Sequence, residues 1–82
     1  MLQAGQIRAA RALLAWRQVD LAKAAKAGLA TIARIEQGEG TAQGHVSTMS
    51  RIQGALEKAG IVFLEEEGAV YGVKLAPKAK RR

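Results

Sequence analysis

The chain has 82 residues, 49% of them hydrophobic, no cysteine and a formal charge of +6. That length makes one small domain with a modest core, and the lack of cysteine excludes disulfides, thiolate zinc sites and cysteine nucleophiles. No apolar run approaches the ~20 residues of a membrane span, and arginines interrupt MLQAGQIRAARALLAW, so no signal peptide is expected and the expected location is the cytoplasm.

A first helix is predicted over residues 3–15, where Ile7, Ala10 and Leu14 recur at helical spacing and Leu13 is a further candidate for that face. Gly5 would fray its start. Trp16, the only tryptophan, falls at the corner between the first two helices, where a large ring can cap a small core. A second helix is predicted from Gln18 to Ala25, a turn at Lys26-Ala27-Gly28, and a third helix from Leu29 to Gln37, stopped by Gly38 as a C′ residue. Leu21, Ala22, Ala25, Ile32 and Ile35 form the inner face of this pair, and Gln18, Lys23, Leu29, Ala30, Ala33 and Arg34 face outward.

Residues 38–44, GEGTAQG, hold three glycines and no periodicity and read as a loop. A fourth helix is predicted over residues 46–59, with Val46, Met49, Ile52, Leu56 and Ala59 as its buried stripe, Ser47 or Thr48 as its cap and Gly60 as its stop. IVFL (61–64) and VYGVKL (70–75) are rich in β-branched and aromatic residues and form a hairpin across EEEGA. A lone hairpin is marginal in water, so it must pack on the fourth helix or pair with a second copy. Residues 76–82, APKAKRR, form a basic tail expected to be disordered. The expected fold is mainly α, about four helices followed by a C-terminal β-hairpin, with one domain over residues 1–75.

Charge divides this domain. Residues 1–53 carry seven Lys/Arg against three Asp/Glu, residues 54–74 are net acidic, and the tail adds Lys78, Lys80, Arg81 and Arg82. The second and third helices are too short to persist alone. Held by a scaffold, the third would be displayed for a partner, and on so basic a chain the indicated partner is double-stranded DNA.

RQVDLAKAAKAGLATIARIEQG resembles the helix-turn-helix of the Xre family, the lambda-repressor-like or Cro-like regulators. The match covers about residues 5–60 and rests on Gln18, Leu21-Ala22, Thr31-Ile32, Ile35-Glu36 and Gly38. The resemblance implies a lambda-repressor-like bundle and a nucleoid-associated prokaryotic transcription regulator, acting as a repressor. It implies base contacts from Leu29, Ala30, Thr31, Ala33 and Arg34. Arg34 is the one side chain there able to reach guanine with two bonds. It implies phosphate contacts from Arg17, Gln18 and Lys23 and from Thr41, Gln43 and His45 in the loop, and an internal salt bridge between Arg11 and Glu36. One recognition helix covers few base pairs, so a homodimer through the fourth helix and hairpin is expected, on an inverted repeat with helices about 34 Å apart.

The chain departs from the family at the turn, with Lys26 where glycine is usual and Gly28 where serine or threonine caps the next helix. Either the turn is looser or its glycine has moved two places along. The readout surface is also unusually apolar, so specificity is expected to lean on Arg34, thymine methyl contacts and DNA shape.

Catalysis is not expected. His45 is the only histidine, and Glu65, Glu66 and Glu67 are consecutive in a hairpin turn, where they point apart rather than forming an acid–base pair. No metal or cofactor is expected. The alternative to DNA binding is a protein-binding module, such as an antitoxin or antiactivator, gripping its partner with the apolar face of the third helix and the hairpin edge.

Overall fold

Four helices and one hairpin follow in chain order: α1 (Ala4–Leu13), α2 (Gln18–Ala25), α3 (Leu29–Gln37), α4 (Val46–Lys58), β1 (Ile61–Glu66) and β2 (Val70–Leu75). The computed structural model describes residues 2–38, 42–66 and 70–77.

The helices meet around five fully buried side chains, Ile7, Leu21, Ile32, Ile52 and Leu56. Each such burial stabilises the fold by roughly 1.5–3 kcal/mol. Ile35, Ala42 and Ile61 are buried with them, as are Ala4, Ala10, Ala22 and Ala25; the small volume of these helix alanines lets short helices approach closely, which suits a chain with few large apolar residues. Leu14 and Trp16 pack against this core from the α1–α2 corner.

α1 stops at Leu13 rather than Ala15, because Ala15 adopts a left-handed conformation with φ 55°. The Ala15 N–H donates to Ala12 O at 3.1 Å and the Trp16 N–H to Arg11 O at 2.9 Å, the paired bonds of a Schellman ending. Leu13 points outward. At its other end the Gln3 N–H donates to Gln6 Oε1 at 2.8 Å, which takes up one unpaired amide of the first turn.

α4 buries Ile52 and Leu56, with Met49 and Ala55 partly covered. Val46 does not belong to that stripe. It is 87% exposed: it stands on the first turn of α4 and only rims an open cavity of about 540 Å³ with Leu2, Ala42 and Met49. The N-cap is His45, without a side-chain capping bond, rather than Ser47 or Thr48. Thr48 Oγ1 instead accepts from Arg51 Nη2 at 3.4 Å. Gly60, at φ 110°, ends the helix.

The hairpin is antiparallel, with Ile61 opposite Leu75, Phe63 opposite Val73 and Glu65 opposite Tyr71. Side chains alternate across a strand: Ile61, Phe63, Val73 and Leu75 pack on the core, while Val62, Leu64 and Lys74 face out. β1 lies on α4 and β2 on α1. β1 is two residues longer than the apolar run suggested, so Glu65 and Glu66 are strand residues rather than turn residues; Glu67 lies outside the described residues. Ala76, assigned to the tail from sequence, is still tied down, its N–H donating to Gly60 O at 2.8 Å. Lys78, Lys80, Arg81 and Arg82 lie outside the described residues. Among the described residues no helix is long and apolar enough to cross a membrane.

Candidate functional site

The α2–α3 unit starts at Arg17, whose N–H donates to Asp20 Oδ2 at 2.7 Å. The Arg17 guanidinium also donates to both Asp20 oxygens at 3.2 Å. These bonds, the side-chain ones first, hold the Asp20 carboxyl below its ordinary value and raise Arg17. The pair is exposed, so it fixes the first turn more than it stabilises the fold.

α2 ends with Lys26 at φ 54°, ψ 45°. The Lys26 N–H donates to Lys23 O at 3.3 Å and the Ala27 N–H to Ala22 O at 3.0 Å. Gly28 is extended, at φ −70°, ψ 146°. The turn is therefore neither loosened nor shifted along the chain. Lysine occupies its left-handed position, and glycine is an N-cap without an oxygen to offer. A Cβ on Gly28 would meet only Thr31 Oγ1 at 3.7 Å, so a serine would fit there. Gly38 also departs from expectation: α3 stops there with Gly38 itself in extended backbone, at φ −67° and ψ 164°, rather than left-handed.

The structure brings Arg11 and Glu36 together. Glu36 is 3% exposed. Arg11 Nε donates to its two oxygens at 3.2 and 3.0 Å and Arg11 Nη2 to Oε1 at 2.8 Å. Arg11 Nη1 donates to Trp16 O at 3.0 Å. One guanidinium thereby joins α1, the α1–α2 corner and α3. Gln18 enters this cluster too, its Nε2 donating to Glu36 Oε1 at 3.4 Å, so its amide is turned toward the cluster.

Two further arginines act as helix caps, which the sequence reading missed. Arg8 Nη1 donates to Glu36 O and, at 3.2 Å, to Gly38 O. Arg51 Nε donates to Ala25 O at 3.1 Å. Each places a cation on the terminal carbonyls of another helix, where the helix dipole favours it. Partners 26 to 30 residues away leave no local signal in the sequence.

With Ile32, Ile35 and Glu36 buried, α3 turns its opposite stripe outward. Leu29 is 49% exposed, Ala30 and Arg34 are exposed, and Thr31 and Ala33 are half-buried. Lys23, Lys26, Gln43 and His45 are exposed; Thr41 lies outside the described residues. Among the described residues, the side chains of Arg34 and Lys26 make no hydrogen bond or ion pair. No group of three His, Cys, Asp or Glu able to hold a metal occurs among them either. Neither a protein-family model nor a curated protein matches the sequence.

Proposed function

We propose that the chain is a sequence-specific DNA-binding regulator of the Xre, lambda-repressor-like type. It represses transcription by occupying an inverted-repeat operator as a dimer. α3 is the recognition helix, and Leu29, Ala30, Thr31, Ala33 and Arg34 meet base edges in the major groove. Lys23, Arg17 and the exposed Gln43 and His45 contact flanking phosphates. Glu36, held by Arg11, sets the tilt of α3, and Gln18 belongs to that cluster as well as to the phosphate side.

The observation that carries this reading is the division of α3. One stripe is locked against α1 and α2, while the other is presented outward with an unpaired guanidinium among the described residues. A bidentate arginine–guanine contact is worth about 1–3 kcal/mol of discrimination. Arg34→Ala is therefore expected to weaken operator binding by about that amount and to relax preference at one base pair, measured over a panel of single-base operator variants. Equal loss on every variant would reduce Arg34 to a phosphate contact, and no loss would remove it from the interface.

The exposed, apolar Leu29 favours a second reading, a protein-binding module. Salt separates the two. DNA binding through phosphates weakens with salt at a log–log slope of about −0.9 per contact, whereas a largely apolar protein interface is nearly flat.

A further inference from the structure

Lys26 is a cation in a backbone conformation that disfavours it. At φ 54° its Cβ crowds the following carbonyl, and glycine would sit there without strain. Such strain persists only where neighbours over-determine it. Here the Lys26 and Ala27 N–H groups bond back to Lys23 O and Ala22 O, and Arg51 Nε clamps Ala25 O from α4.

Nothing among the described residues rewards the side chain for this position. It is exposed and makes no hydrogen bond or ion pair. The helix-dipole role is already filled by Lys23 and Arg51. Asp20, the one acid on α2, is held by Arg17. What the position does offer is placement: the ammonium stands two residues before the N-cap of α3, whose first amides have no side-chain cap.

We propose that Lys26 is a phosphodiester-backbone contact, retained in a left-handed position where it lowers fold stability and raises affinity for DNA. This rests on the DNA-binding reading above and adds a residue that the helix-turn-helix resemblance does not supply.

The test uses the full chain and a fluorescent mixed-sequence DNA duplex, titrated between about 50 and 200 mM salt. Lys26→Gly is expected to raise the urea midpoint of unfolding. It is also expected to weaken binding about fivefold to tenfold near 0.1 M salt and to shallow the slope by about 0.9. Lys26→Arg should keep the wild-type slope. Lys26→Asn, uncharged but tolerant of the left-handed region, should lose it as glycine does. Ala15→Gly, which relieves the same strain at a position without a cation, should stabilise without changing the salt slope. A steep wild-type slope that Lys26→Gly leaves unchanged overturns the Lys26 assignment alone. A wild-type chain whose binding is flat in salt overturns the DNA-binding reading and Lys26 with it.

Discussion

A carboxylate that is 3% exposed is tolerated only if its charge is matched, and Glu36 is matched by Arg11 and supplemented by Gln18. Removing one partner of a buried pair leaves the other charge uncompensated, which costs about 3–5 kcal/mol; replacing both by apolar groups is often neutral. Arg11 keeps 22% exposure, so water can recover part of its solvation and the lower end of that range applies. Glu36→Ala is thus expected to destabilise the chain by about 3 kcal/mol in urea denaturation, and Arg11→Met with Glu36→Leu by much less. Equal losses in both variants would contradict this account. The Arg11–Glu36 pair was legible only through the family resemblance. Residue spacing alone gives no reason to join positions 25 apart, and for the same reason Arg8 and Arg51 read as surface charge rather than as caps.

At the scale of elements, the periodic segments were the legible ones. α2 and α3 run over the expected residues, since each has an apolar stripe bounded by a turn. The failures lie where a local rule lost to context. Val46 matched the stripe of α4 but fell on its first turn, where it stays 87% exposed. The end of α1 was misplaced because alanine, a strong helix former, takes the left-handed position at Ala15. The attachment of the hairpin to α1 had no signal either, since it joins positions 58 and 66 residues apart, partly through one polar side chain. Gln6, 3% exposed, donates through Nε2 to Leu64 O at 3.2 Å and Gly72 O at 3.0 Å. Leaving a buried carbonyl unpaired costs about 1–3 kcal/mol, and these two are partly buried. Gln6→Leu is expected to lower stability by about 2 kcal/mol and to speed amide exchange in β1 and β2 more than in α3. Uniform exchange across the chain would show that Gln6 does not anchor the hairpin.

Across the whole molecule, not all of the 13 Lys and Arg side chains are free to meet a partner. Arg8, Arg11, Arg17 and Arg51 are engaged internally. Among the described residues, Lys23, Lys26 and Arg34 are exposed cations on the α2–α3 unit without a side-chain partner, Arg17 is exposed but paired with Asp20, and Lys58 and Lys74 sit on α4 and β2. A helix of nine residues with one arginine on its outer stripe specifies few base pairs. The proposed selectivity therefore depends on two copies, for which Val62, Leu64 and Tyr71 on the hairpin offer exposed apolar surface. The most direct measurement of the central claim is selection of bound sequences from random DNA by the full chain at two salt concentrations. The account predicts an inverted repeat whose half-sites lie about 10 base pairs apart, with recovery falling steeply at the higher salt. Recovery of unenriched DNA at both concentrations, with no salt dependence, would contradict it.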